Sequence, residues 1–453
     1  MKKRMSLLLV FAIIFTAFVG CNKNGDDTTK GYKNKVETIR FLNSNPELAD
    51  EYEHIVAAYK DETGVQVIVE TASSNTYEST LKAKMATSDA PTIFQINGPK
   101  GYATWKGYCA ELSKTKLYSI LADKSLAVSN NDDVHGIPYA IEGYGIIYNQ
   151  AITDMYFEMS GRESGVNSMS EINTFAEIKG VVEEMTAKKA DLNIDGVFAS
   201  TSLKSGEDWR WQTQLANVPL YYEFKTNNIN LTSDQTNKIN FKYSENYKNI
   251  FDLYINNSTV DPRLLGSKSV DDSMAEFALG ECVMIQNGNW AWGQISGISG
   301  NTVEAEDIKF LPIFIGVEDE GNQGLCIGTE NFLCINSKAT EDELKAADEF
   351  LYWLYSSEKG KSFVTNALGF ITPFSTFDDN EKPTDPLAQE VIKWVEKGGV
   401  ATVPWNFTVF PSQTFKDDFG SALLQYAQGS MTWEEVTKIV VETWKTESDL
   451  AAG

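Results

Sequence analysis

Five tryptophans stand in short polar segments: Trp209 and Trp211 in GEDWRWQ, Trp290 and Trp292 in NGNWAWG, and Trp405 in VPWNF. An indole offers a broad apolar face and one N–H donor, and amides or carboxylates beside it can satisfy hydroxyls. That combination suits a sugar ring, which has apolar C–H faces and a polar rim. The competing reading for each tryptophan is a core residue whose N–H is internally bonded.

Signatures of bond-making chemistry are sparse. The chain has two histidines, His54 and His135, and neither has neighbours that suggest a triad or a metal site. GxSxG and HExxH are absent, and the GKS at Gly360, Lys361 and Ser362 has Tyr355 where a P-loop needs glycine. Paired carboxylates could make a glycoside hydrolase, but among 63 acidic residues no spacing stands out. Asp191, Asn193, Asp195 and Gly196 match the opening of an EF-hand calcium loop, yet position 12 is Ser202 rather than a bidentate Glu. The departure favours an Asx-rich turn over a metal site, and no cofactor is expected.

Cys21 ends a run with Lys2, Lys3 and Arg4 in front and an apolar stretch from Leu7 to Val19 behind them. The run is shorter than the about 20 apolar residues that span a bilayer. A secretory signal over residues 1–20 with a lipid-bearing Cys21 is the expectation, followed by a polar tether over 21–34. Among the other four cysteines, Cys282, Cys326 and Cys334 lie in apolar runs and Cys109 shows no metal spacing, so small buried thiols are favoured over disulfides. The net charge of −24 argues against nucleic acid or anionic lipid as partner and favours a neutral ligand.

Elements that would position these residues follow from periodicity. Ile39–Leu42 reads as a strand, Asn45-Pro46 as a helix start, and Leu48, Tyr52, Ile55, Val56 and Tyr59 as one helical face ended by Gly64. A strand over 65–69, a helix over 77–86 and a strand over 92–96 continue the alternation, which predicts an α/β sheet. Later helices are expected over 175–188, 272–279, 341–356 and 433–444, with strands at 197–199 and 282–285. In open α/β sheets ligands lie beyond the carboxyl ends of strands. That rule selects Asn45, Gln95, Asn97, the stretch from Ser200 to Trp211, and the segment holding Trp290.

Three segments carry a family resemblance: HGIPYAIEGYGIIYN (135–149), AEFALGECVMIQNGNWAWG (275–293) and LGFITPF (368–374). They resemble the extracellular solute-binding proteins of ABC importers, in the oligosaccharide-carrying branch. The resemblance implies a two-lobed α/β periplasmic-binding-protein-like fold of type II with three crossings between lobes. Lobe 1 would hold 35–143 and 310–368, and lobe 2 would hold 144–309 and 369–453. It implies Glu142, Asn97 and Gln95 as hydroxyl partners and Trp290 as a stacking residue, with Trp209 or Trp211 and Trp405 or Phe410 as further aromatics, of which Trp209 and Trp405 are preferred. It implies a monomeric lipoprotein on the outer face of the cell membrane that hands a neutral oligosaccharide to a permease. A malto-oligosaccharide is the first expectation and a xylo- or other plant oligosaccharide the second. A surface hydrolase and a polysaccharide-holding adhesion lipoprotein are the alternatives.

Overall fold

The strand-forming stretches are β-branched and aromatic runs, and the chain alternates them with amphipathic helices. In the computed structural model, which describes residues 38–72, 74–200, 202–231 and 234–452, they sort into two main sheets. Cys21, the signal and the tether lie outside the described residues. The strands are β1 (Thr38–Asn43), β2 (Gln66–Thr71), β3 (Ile93–Ile96), β4 (Val128–Asn130), β5 (Asp133–Gly136), β6 (Glu142–Asn149), β7 (Met284–Gly288), β8 (Ile308–Leu311), β9 (Gln323–Gly328), β10 (Phe332–Ile335) and β11 (Ala401–Pro404).

The first sheet has the order β10-β3-β1-β2, with β1 parallel to β2 and β3, and β10 antiparallel to β3. Ile39 and Phe41 point to one face, against Ile55 and Tyr59 of helix Ala49–Thr63 and against Phe350 and Leu354 of helix Glu341–Ser356. The other face carries Leu42, Phe94 and Ile96 against Tyr77, Leu81 and Trp105. Burial of both faces explains why apolar residues occupy neighbouring positions in β1 and β3, as at Phe41-Leu42 and Ile93-Phe94. Gly64 caps the first helix at φ 74°, the left-handed conformation its sequence position predicts. Asn45 differs: its side chain does not cap the helix but donates to Glu47 Oε1 at 3.0 Å.

The second sheet has the order β11-β9-β6-β7, with β8 also on β6. Along β6, Tyr144, Ile146 and Tyr148 enter one apolar core while Ile147 enters another with Ile285, Phe310 and Leu325. The glycines between them admit close neighbours: a Cβ on Gly143 would lie 2.7 Å from Val391 of helix Pro386–Glu396. The expected strand at 197–199 forms only single bridges, from Phe198 to Ser258 and Met284, and the last helix runs further than expected, over Trp433–Ala452.

The second and third passages between the sheets come later in the chain than expected. Phe310 pairs with Ile147 and Ile327 with Gly143, so residues 310–328 belong to the second sheet and the return falls between Gly328 and Phe332. Phe370 and Phe374 sit in the first core, Phe370 against Tyr139 at 5.0 Å and Phe374 against Tyr355 at 4.3 Å. The chain therefore stays with the first lobe past Leu368 and leaves it before helix Pro386–Glu396. Deep burial of these two aromatics, rather than the glycine at 369, decides where the passage falls.

Candidate functional site

Asn45, Gln95 and Asn97 follow or end strands of the first sheet, as the strand-end rule requires. Gln95, 1% exposed, accepts the Ser44 N–H through Oε1 at 2.8 Å and so ties the ends of β1 and β3 together, leaving its Nε2 without a partner. Asn97 Oδ1 is likewise buried and unpartnered. Asn43, wholly buried beside them, has an unpartnered Oδ1.

The second sheet brings the indoles together. Trp290 follows β7, and its ring lies 6.0 Å from that of Trp209 and 6.5 Å, near perpendicular, from that of Trp405. Two glycines make room. A Cβ on Gly288 would lie 2.2 Å from the Trp290 ring, and one on Gly328 would lie 2.5 Å from Cγ of Trp405. Trp209 and Trp290 are half-buried, whereas Trp405 is buried with its Nε1 unpartnered. Trp211, from the same motif as Trp209, is a core residue: it is 0% exposed and its Nε1 donates to Ser202 O.

A cavity of about 400 Å³ lies at the seam of the two lobes, lined by Asn45, Glu47 and Phe370 from the first and by Glu142, Asn289 and Trp290 among others. Glu142 opens β6 at the first passage, 6% exposed, with the Tyr139 hydroxyl donating to it at 3.4 Å. Burial, helped by the nearby charges of Glu330 and Glu47, pushes its pKa up to about 8. Asn289 Oδ1 accepts the Gly143 N–H at 2.8 Å and fixes the turn that presents Trp290. The lobes also touch: a Cβ on Gly98 would lie 2.9 Å from Thr408 Cβ, and Lys100 Nζ donates to Asn237 Oδ1 at 3.2 Å.

Arg210 escaped the sequence reading. It starts a wide-turned helical segment, Arg210–Leu215, and is 2% exposed. Its guanidinium lies 4.2 Å from the Trp209 ring centroid, and its Nε and Nη1 have no partner. Burial lowers its pKa to about 9, opposed by the charges of Glu207, Asp271 and Glu47. The signal that pointed toward it was its place between Trp209 and Trp211, in a stretch selected as a unit. Gln214 and Gln286 each add a buried, unpartnered Oε1, and Thr329 an unpartnered Oγ1 at the second passage.

Asp191, Asn193 and Asp195 are exposed and stand away from these groups: Asn193 ends helix Lys189–Leu192 at φ 55°. The hydroxyl at position 12, Ser202 Oγ, donates to Lys268 O instead of facing that turn. Among the described residues, no group of three or more His, Cys, Asp or Glu side chains could hold a metal.

Half-buried indoles beside an unpartnered guanidinium and a cavity lined by Glu142 and Asn289 can hold a polar, ring-bearing molecule. Solved structures share this architecture. RafE in complex with raffinose superposes with a TM-score of 0.69 at 17% identity, over 91% of this chain and 99% of that one. The GacH receptor of Streptomyces glaucescens, solved unliganded and with acarbose, gives 0.67 at 15%, over 92% and 99%. A sugar transporter of Bacillus licheniformis in complex with stachyose gives 0.66 at 15%, over 90% and 100%. Curated proteins include no match to the chain. The profile of the bacterial extracellular solute-binding proteins matches residues 54–390, through both sheets and the seam between them, and the chain belongs to that family.

Proposed function

We propose that the protein captures a neutral oligosaccharide between its lobes and delivers it to an ABC permease. The observation that carries this reading is the clustering of Trp209, Trp290 and Trp405, with Trp290 lining a cavity beside Asn45, Glu142 and Asn289. Buried polar groups are nearly always hydrogen-bonded, and a ligand dense in hydroxyls would supply partners to groups that lack them beside these indoles, such as the Arg210 guanidinium against Trp209. Trp290 stacks on a ring, Glu142 donates or accepts at a hydroxyl, and Trp209 and Trp405 flank the same ring. Asn45 contributes from the first lobe. Closure of the lobes on the ligand shifts the population toward the form the permease reads. The family's extracellular setting fits the reading of Cys21 as a lipid anchor, with 21–34 as slack for docking.

Malto-oligosaccharides rank first and xylo- or other plant oligosaccharides second; the related structures were solved with raffinose, acarbose and stachyose. Calorimetry of the protein against a panel of these sugars tests the proposal. Saturable one-to-one binding without product supports it, and binding to none of them overturns it. A hydrolase reading has one feature on its side, the raised pKa of Glu142 near Glu330. Release of shorter sugars in the same titration would establish it.

A further inference from the structure

Cys109 and Cys334 are 225 positions apart, yet their sulfurs lie 3.9 Å from each other. Both are buried, Cys109 at 5% and Cys334 at 0% exposure. The register explains the meeting. Cys109 follows helix Gly98–Trp105 and bridges Asn336, held by Ala110 N to Ile335 O at 2.9 Å and Ser337 N to Tyr108 O at 2.7 Å. Cys334, two residues before Asn336, is its diagonal neighbour on the same face. Both thiols enter the core formed by Leu81, Phe94 and Trp105. Among the described residues, Cys282 and Cys326 make no such sulfur contact.

We infer that Cys109 and Cys334 are a disulfide pair, oxidised as the exported chain folds. An S–S bond of about 2.05 Å requires the sulfurs to approach by roughly 2 Å, within reach of a side-chain rotation and a small shift of the single bridge. The inference rests on the family's extracellular placement, where disulfides persist, and not on the identity of the sugar. The oxidant is a small or protein disulfide such as glutathione disulfide. One cysteine thiolate attacks it, releasing one glutathione thiol and leaving a mixed disulfide. The second thiolate displaces the second glutathione. Two electrons pass from the cysteines to glutathione disulfide, and the two thiol protons end on the two glutathione thiols. The exchange belongs to the partly folded chain, because in the native core Cys334 is buried and its ionisation strongly disfavoured.

The bond would join two pieces of one lobe across the chain's first excursion through the second sheet, from β6 to β9. It would anchor β10 immediately after the passage at 329–331. The first lobe would then stay rigid while that passage bends. Constraining so long a loop restricts the unfolded chain strongly.

The test is peptide mapping of the full-length protein, refolded with glutathione disulfide, then denatured and alkylated without reductant. A linked peptide pair holding Cys109 and Cys334, two hydrogens lighter than the thiols, with Cys282 and Cys326 alkylated, is expected. Alkylated, unlinked Cys109 and Cys334 would overturn the inference, as would either one linked to a different cysteine. A second measurement guards against misfolding. Oxidised wild type should melt several degrees above reduced wild type, and a Cys109→Ala/Cys334→Ala variant should melt at one temperature in either redox state. Equal melting of oxidised and reduced wild type counts against the bond.

Discussion

Arg210 carries its guanidinium at 2% exposure with two nitrogens, Nε and Nη1, unpartnered and the face of Trp209 against it. A buried charge without a hydrogen-bonded counter-charge destabilises the fold that holds it. Arg210→Met should therefore raise the melting temperature of the ligand-free protein while weakening sugar binding; a variant that loses stability and keeps affinity would contradict the assigned role. Trp290→Ala should weaken binding at least about tenfold, ~1.4 kcal/mol, if the indole stacks on a ring. Unchanged calorimetric affinity would remove Trp290 from the site. Glu142 gives a pH prediction. Its folded pKa of about 8 lies above the ordinary 4.5 through burial, so the folded state binds the extra proton between those values. The stability it contributes is full below about 4.5 and is lost as pH rises toward 8. Asp208 and Asp385, raised by burial to about 7 and about 6, act in the same direction. Glu142→Gln should therefore flatten part of the fall in melting temperature between pH 5 and 8, and an unchanged slope would deny Glu142 its buried proton.

At the scale of elements, the site depends on two strand ends that lack side chains. Gly288 ends β7 and Gly328 ends β9, and each seats an indole against bare backbone. Gly328→Ala places a methyl 2.5 Å from Trp405 Cγ, well inside contact distance. Overpacking of this kind costs about 1–3 kcal/mol, so the variant should melt lower and bind more weakly. Gly107→Ala, where nothing lies within 4 Å of the new carbon, is the control and should change neither. Thermal unfolding and calorimetry of both variants check this pair.

The whole molecule has its lobes in contact, through Gly98 against Thr408 and Lys100 against Asn237. Three passages hold the lobes, and just before the first of them Ile141 N donates to Ile371 O at 2.7 Å. Motion about such a narrow joint changes the separation of the lobes more than their interiors. Solution scattering should show the radius of gyration of the ligand-free protein fall when a bound sugar is added, with no change in either lobe's secondary structure by circular dichroism. Identical scattering with and without a bound sugar would exclude closure as the signal to the permease.

Much of this was legible from residue order alone. The strands at Ile39–Leu42 and 92–96, the helix over 341–356 and the cap at Gly64 follow from local periodicity and glycine stereochemistry, which nearest neighbours dictate. The strand-end rule placed Gln95 and Asn97 at the carboxyl edge, whereas polar flanks marked Trp211 as readily as Trp290, and only the family resemblance singled out Trp290. What sequence order could not decide was contact between distant segments. Trp209 and Trp211 share one motif, yet the helical turn between them sends Trp211 into the core and leaves Trp209 beside Trp290. Phe370 and Phe374 hold the chain to the first lobe beyond the glycine that suggested a passage. Arg210 is a surface-type residue by composition, and tertiary packing, which sets it against Trp209 and brings Gln286 of β7 to its carbonyl, buries it. Those outcomes depend on which apolar faces cover one another, and that covering is settled only when the two sheets and their helices are packed.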